Sequence, residues 1–523
     1  MTDLLAKRLD RIVANGYDRL LAGIRRGIEK ESLRIDSAGA LSTRPHPETL
    51  GSPLTHPHIT TDYSEALLEF VTPVCDKIKD VNDFLTRIHR HAYRNIGDEK
   101  LWVNSMPCIL RGENSIPIAE YGNSNVGRMK QVYRRGLQYR YGRIMQTIAG
   151  IHYNFSLPDA FWQASFDEYA DNETNVQDHV STSYFAAIRN FHRYCWLLFY
   201  LFGASPAVCK SFLMGREHEL QEFDEGTFYG PGATSLRMSS LGYRNAMQSE
   251  ISVSYNNLVE YVDTLTLATT TSHPEYEKIG LKDEQGEYLQ LNTNLLQIEN
   301  EYYAVIRPKR VARSGEKPTR ALRERGVEYL EIRCVDLDPF EPTGISDDQV
   351  RFLDMFLLFC LFEDSPVITA SDTVSVATNK NRTVMSGRDP TTQLIKNGVS
   401  VPLRDWGVEV CNRLRPIALL LDTIDSDSAH SRVLDEQLGK LDDPGLTPSA
   451  RILDELRARA EPFFEFAMRK ATEHERTFKA SGREDNVDPL FVALAETSLK
   501  DQRDIENSDD IDFEEYLRRY FAQ

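Results

Sequence analysis

The sequence predicts an α+β fold, with a mixed core over residues 1–345 and a mainly helical region over residues 346–523 packed on that core. Three observations carry this reading. Short alternating runs, Gly27–Ile35, Ile151–Ser156 and Val327–Val335, have the period of two that a strand imposes. Between them, stretches such as Lys77–Ile96 set Val81, Phe84, Leu85, Ile88, Ala92 and Ile96 at helical spacing. Beyond residue 345 the patterns read as helices.

In chain order, residues 3–26 read as a short amphipathic helix pair that leads into the strand at Gly27. Thr60–Pro73 holds apolar residues bounded by a proline. The basic, aromatic stretch Gly127–Arg143 reads as a helix that delivers the strand Ile151–Ser156. Ser183–Phe202 and Ile251–Leu267 read as helices, and Tyr288–Leu296, Tyr302–Ile306 and Val327–Val335 as strands. In the last third, Asp347–Phe362, Trp406–Asp425, Ser449–Ser481 and Leu490–Ile505 read as helices, and Asp509–Glu515 as a solvated acidic end. No fixed-period repeat marks a solenoid.

Composition narrows the function. A hydrophobic fraction of 41% with 27% charged residues is that of a globular chain with a sizeable core. Lys and Arg total 61 against 79 Asp and Glu, a net charge of −18, which argues against general nucleic-acid binding. Any anionic ligand must meet local arginines rather than a basic surface field. The seven cysteines form no CxxC pair, so free thiols in a reducing cytosol fit better than a disulfide framework or a structural zinc. The start, Met1-Thr2-Asp3-Leu4-Leu5, lacks the basic-then-apolar pattern of a signal peptide. The most apolar runs, Trp196–Ala204 and Phe352–Phe362, fall short of the ~20 residues of a membrane span. A soluble, cytoplasmic protein is the expectation.

Several acids occupy positions where acids are unusual. Glu29 and Glu31 are two apart on one strand, so both point to one face while Lys30 points to the other. Without a cation between them they read equally as a solvated sheet face. Glu69 sits among Leu67, Leu68, Phe70 and Val71, where an acid is costly unless paired or metal-bound. Asp62 lies seven residues before it. Glu331 and Arg333 share a strand face, which alone fits an intrastrand salt bridge. Together these acids form an oxygen-rich set suited to Mg²⁺ or Mn²⁺, with His152 on a neighbouring strand as a candidate further ligand.

Arginines that could face such a cluster are Arg134, Arg135, Arg237 and Arg333, with the run Ile306-Arg307-Pro308-Lys309-Arg310 adding three cations or forming a solvated turn. Neither the P-loop pattern nor a GxGxxG after a strand is present, and a GxSxG elbow is absent. A bound nucleotide would therefore be held by metal and arginine, not by a glycine-rich cradle.

These motifs resemble a known family. Arg26-Gly27-Ile28-Glu29-Lys30-Glu31-Ser32-Leu33-Arg34, Thr60-Thr61-Asp62-Tyr63-Ser64-Glu65-Ala66-Leu67-Leu68-Glu69-Phe70 and Met145-Gln146-Thr147-Ile148-Ala149-Gly150-Ile151-His152-Tyr153-Asn154-Phe155-Ser156 are similar to bacterial glutamate–cysteine ligase. So are Tyr200–Ala207, Ala233–Tyr243, Gln297–Arg310 and Gly326–Arg333. The likeness runs from about residue 20 to 375 and weakens in the helical last third, where Leu446–Leu453 is the clearest remaining match.

The resemblance implies a curved antiparallel sheet forming a funnel, of the glutamine-synthetase catalytic-domain type, wrapped by helices. It implies Glu29, Glu31, Asp62, Glu69, His152 and Glu331 as metal ligands, Mg²⁺ first and Mn²⁺ as the other possibility. Arg333 would face the transferred phosphoryl group, Arg237 would bind glutamate through its α-carboxylate, and Arg134 would support the anionic end of the site. Tyr243 and Tyr303 would hold the cysteine carboxylate, with Tyr133, Leu137 and Gln146 around its side chain. Where the family usually carries Phe, this chain has Tyr63, near the cysteine pocket that the resemblance implies. The implied reaction joins the γ-carboxylate of glutamate to the amine of cysteine through a γ-glutamyl phosphate, with ATP as co-substrate, the first step of glutathione biosynthesis. A related carboxylate–amine ligase with another acceptor is the alternative. A monomer subject to glutathione feedback, with no nucleic-acid or membrane partner, completes the expectation.

Overall fold

The structure, a computed structural model, describes residues 4–169, 174–242, 251–313, 315–480 and 488–523. The alternating stretch that begins at Arg25 forms the longest strand, β1 (Arg25–Ile35), at the centre of a seven-stranded antiparallel sheet. The other strands are β2 (Ile59–Thr61), β3 (Leu67–Val71), β4 (Lys100–Leu101), β5 (Ile151–Ser156), β6 (Ile306–Lys309) and β7 (Tyr329–Val335). Their order is β2-β3-β1-β5-β7-β6, with β4 paired to the end of β1. The sheet stays open at β2 and β6.

Period two gives each strand two different faces. From β1, Arg26, Ile28 and Lys30 point to a helical layer; from β5, Ile151, Tyr153 and Phe155 join them, all buried. That layer includes α1 (Ile78–Asn95), α3 (Val176–Tyr194) and α4 (Asp347–Phe362), while α2 (Asn125–Tyr141) stands on the other face, beside the acids. Helix α4 begins at a capping box, in which Ser346 and Gln349 bond each other's backbone. Its Asp354, fully buried, accepts from Arg26 Nε at 2.6 Å and from Tyr153 OH at 2.6 Å, and so pins two adjacent strands to the helix. Among the described residues Lys30 has no acidic partner. It donates to Ser32 Oγ at 2.6 Å and to His89 Nε2 at 2.9 Å, and burial pulls its pKa down to about 7.

The expected fold class holds: a mixed α+β core with an antiparallel sheet, and helices around it. Several elements differ from the sequence reading. Tyr288–Leu296 forms no strand, only single bridges at Tyr288 and Asn294. Amide side chains take backbone groups there instead: Leu291 N donates to Gln297 Oε1 at 3.0 Å, and Asn294 N donates to Asn292 Oδ1 at 3.0 Å. The strand expected at Tyr302–Ile306 begins at Ile306 and runs to Lys309. Ser449–Ser481 is two helices, Pro448–Arg459 and Phe463–Ala480, separated by a left-handed Ala460 (φ 49°) and by Pro462. The last third also holds a helix at Ala370–Ser386 and a hairpin pairing Gln393–Lys396 with Val399–Pro402.

The acidic stretch Asp509–Glu515 is not a free end. Asp509 Oδ2 accepts from Asn125 N at 2.5 Å, and the terminal helix Phe513–Phe521 lays Phe513 and Leu517 on Met129 and Val132 of α2. No helix among the described residues is long and apolar enough to cross a membrane.

Candidate active site

Strand register assembles the acids. In an antiparallel pair, directly opposite residues share a face with Cβ atoms ~5 Å apart. Glu29 of β1 lies opposite His152 of β5, Glu31 lies opposite Glu69 of β3, and Glu331 of β7 lies opposite Asn154 of β5. His152 Nδ1 is 3.0 Å from Glu29 Oε2 and 3.8 Å from Glu331 Oε1, and its Nε2 is 3.7 Å from Glu31 Oε1. Asn154 Nδ2 donates to the other oxygen of Glu29 at 3.0 Å. One ligand atom from each of Glu29, His152 and Glu331 lies within 4.8 Å of the other two.

β7 carries a bulge here. Its register against β5 slips between Ile332 and Val335, so two residues, Arg333 and Cys334, oppose the single position of His152. The slip sets Arg333 Nη1 2.9 Å from Glu331 Oε1 and 3.4 Å from His152 Nδ1. The spacing of Glu331 and Arg333 marks an intrastrand pair, as the sequence suggests. The bulge adds the imidazole.

Crowded carboxylates in a dry site cannot all ionise alike. Burial pushes Glu69 up, and the charges of Glu29, Asp62 and Glu31 push it further, well above the ordinary carboxylate range. Burial also raises Glu31, against the pull of His152, Arg237 and Arg333. Glu331 goes the other way: burial is outweighed by Lys309, Arg333, His152 and Arg307, which hold it well below the usual value. Glu29 is lowered as well: burial, the largest influence, and the Glu331 charge raise it, but the hydrogen bond to His152 together with the His152 and Lys309 charges outweighs them. The cluster is an arrangement that a divalent cation would relieve.

Beside the acids opens a cavity of about 530 Å³. Glu31, Asp62, Tyr133, Arg134, Leu137, Gln146, Tyr303 and Arg333 all line it. Arg134 is fixed by the Asp62 and Lys130 carbonyls and stacks over the Tyr121 ring at 4.6 Å. Arg237 occupies a different place. It is buried, donates to the Arg333 carbonyl at 2.9 Å and to the Val335 carbonyl at 3.3 Å, and passes over Gly150, where a Cβ would come 2.0 Å from its Nη2. Tyr243 lies outside the described residues.

The cavity also contains groups that local sequence did not single out. Arg140 and Glu301 form a fully buried pair at 3.0 Å, and Tyr141 OH donates to the same carboxylate oxygen at 2.6 Å. Each sits in an unremarkable local context, 161 residues apart. Arg216 and Met145 line the same space. The Arg307–Arg310 run is strand rather than turn at its start: Arg307 lies opposite Glu331, and Lys309 Nζ is 3.5 Å from Glu331 Oε2. Tyr63 contributes a ring whose hydroxyl is buried without a hydrogen-bond partner among the described residues.

A second acid–histidine group, Asp422, Asp427 and His430, sits where two C-terminal helices meet. Its carboxylates are committed to backbone amides, Asp422 to His430 N and Ser431 N, and Asp427 to Ala429 N. It caps a helix.

The sequence profile of the family Glutamate-cysteine ligase matches residues 9–383. Glutamate–cysteine ligase of Alcanivorax borkumensis is 52% identical over 521 residues, covering 99% of both chains. That of Pseudomonas paraeruginosa is 49% identical over 526 residues, covering all of this chain and 98% of the relative. Among solved structures, glutamate–cysteine ligase of Francisella tularensis in complex with AMP superposes with a TM-score of 0.89 at 35% identity, covering 96% of this chain and 98% of the other. A bifunctional glutathione synthetase from Pasteurella multocida gives 0.73 at 26% identity, matching 93% of this chain to 58% of that longer one. With its acids, arginines and cavity assembled on this sheet, the chain belongs to the glutamate–cysteine ligase family.

Proposed function

We propose that this chain joins the γ-carboxylate of L-glutamate to the amine of L-cysteine at the expense of ATP, the first step of glutathione synthesis, through a γ-glutamyl phosphate. The observation that carries the reading is the convergence of Glu29, His152 and Glu331, with Arg333 2.9 Å from Glu331, beside a cavity large enough for two amino acids. The AMP bound to the Francisella relative supports an adenine nucleotide as co-substrate.

The residues fit a hard divalent cation. The donors are carboxylate oxygens and one imidazole, and Glu331 Oε2 is buried without a hydrogen bond among the described residues. Glu29, His152 and Glu331 would hold one ion, with Glu31, Asp62 and Glu69 completing the acidic set. Mg²⁺, or Mn²⁺, would supply charge neutralisation on the phosphates.

A free carboxylate is a poor acyl donor because oxide would have to leave. Attack of a γ-carboxylate oxygen on the γ-phosphorus of ATP expels ADP and leaves an acyl phosphate. The cysteine amine then attacks the acyl carbon, phosphate departs with the bonding electron pair, and the amine loses its proton. The protein's part is alignment and electrostatics. Arg333, poised next to Glu331, would meet the negative charge that moves with the phosphoryl group. Arg134, fixed by two carbonyls, would support the anionic substrate end. Tyr133, Leu137, Gln146 and Tyr303 would enclose the acceptor, and Arg237, held on the Arg333 carbonyl, would keep that strand end in place.

ADP release in the presence of Mg²⁺ tests this. It should require glutamate and rise strongly with cysteine, with serine, alanine and glycine far less effective. Release that needs glutamate and ignores cysteine would point to another acceptor.

A further inference from the structure

Five arginines line the cavity, and four have their guanidinium groups committed. Arg333 is on Glu331 at 2.9 Å, Arg140 on Glu301 at 3.0 Å, Arg307 on the Asn300 carbonyl at 3.0 Å and on that of Tyr302, and Arg134 on two carbonyls. Arg216 differs. Its Nη1 lies on the thioether sulfur of Met145 at 2.6 Å, a weak acceptor, and its guanidinium lies 5.5 Å from the Phe212 ring centre. Among the described residues no carboxylate comes within 4 Å of it. The acid that acts on it, Glu113, is already bound to the amides of Arg143 and Ile144.

The backbone that delivers Arg216 is unusual. After the short helical turn Lys210–Leu213, Met214 adopts φ 38° and Gly215 φ 83°. A left-handed Met is strained by about 1–2 kcal/mol, and its side chain is 56% exposed, so no burial of its own side chain offsets the strain. The turn instead carries Arg216, half-buried, to the cavity wall.

A half-desolvated guanidinium with five donors and no anion is a poor end state. The anion it fits is planar and bidentate. Its neighbours are the Met145 sulfur and the Phe212 ring, with no acid of the cluster paired to it among the described residues. We propose that Arg216 is a substrate-binding residue whose guanidinium takes the α-carboxylate of an amino-acid substrate in this cavity. This rests on the ligase reading above, with glutamate and cysteine as the two sources of that carboxylate.

The test uses the full chain with Mg²⁺ and ATP, reading ADP release. Each amino acid is compared with its analogue lacking the α-carboxylate: cysteine with 2-aminoethanethiol, and glutamate with 4-aminobutanoate. In Arg216→Gln the preference for one carboxylate-bearing substrate over its analogue should fall by about ten- to a hundredfold, the range of hydrogen bonds to a charged group. The pair that moves identifies the substrate held. Arg216→Lys should recover part of that preference, and the apparent KM for ATP should stay within about threefold in both variants. Unchanged preferences for both pairs in Arg216→Gln would overturn the assignment, as would a loss confined to the ATP requirement or a Lys variant that recovers none of the preference Gln loses. A wild-type protein that releases no ADP from glutamate plus cysteine would instead sink the ligase reading, and this inference with it.

Discussion

Glu29 and His152 stand directly opposite each other on neighbouring antiparallel strands, with Glu29 Oε2 3.0 Å from His152 Nδ1. The pairing turns two residues 123 apart in the chain into one edge of an acidic cluster, and Glu331 closes it from the next strand.

Removing a donor from that cluster should stop the chemistry and spare the fold. Glu29→Gln and Glu331→Gln are each expected to lower ligation by at least about a hundredfold. Each should lower the midpoint of urea unfolding while leaving the chain folded, because the partners that hold its carboxylate below the ordinary range lose that charge. Near-normal turnover in either variant would remove that residue from the metal set.

The pH dependence of the metal-free protein should carry the mark of Glu69. Its pKa in the fold is raised well above 4.5, so between pH 4.5 and that raised value the folded chain holds a proton the unfolded chain has released. Stability from this group is therefore complete below pH 4.5 and is lost as pH rises. Unfolding free energies at about pH 5 and pH 7 should show a loss with rising pH that Glu69→Gln reduces and that Mg²⁺ relieves. An identical slope in wild type and Glu69→Gln would contradict the electrostatic account of the cluster.

Tyr63→Phe should stabilise the protein without substrates by about 1 kcal/mol, since the hydroxyl it deletes is buried with no partner among the described residues. Urea denaturation measures it. A clear loss of stability would mean the hydroxyl has a partner in solution.

Asp354→Ala should be far more damaging. It leaves the buried Arg26 guanidinium without its carboxylate and Tyr153 OH without its acceptor, a change expected to cost about 3–5 kcal/mol. A cost under about 1 kcal/mol would show that the helix is held to the sheet by apolar packing alone.

The site's strand faces were legible because a period of two is a local property. Glu29 and Glu31 must share a face in any strand, and so must Glu331 and Arg333. Which strands lie side by side is not local; the family resemblance implied only that the strand acids meet inside one funnel. Arg237 illustrates the limit: its place behind the cavity wall depends on Gly150 lacking a Cβ, a contact between distant stretches. Arg140 and Glu301 pair across 161 residues, with nothing in either stretch to mark them. In the fold, Tyr288–Leu296 mimics a strand by composition, while the amides of Asn292 and Gln297 take backbone N–H groups of the stretch. The hairpin near residue 397 left a usable sign, Asn397-Gly398, both in the positive-φ conformation of a tight turn.

The most direct measurement is an anomalous difference map from crystals of the full chain soaked in Mn²⁺ with an ATP analogue. Strong density within roughly 2.0–2.3 Å of ligand atoms from Glu29, His152 and Glu331 is the expected result. Ordered nucleotide phosphates with no ion touching those three residues would contradict the account.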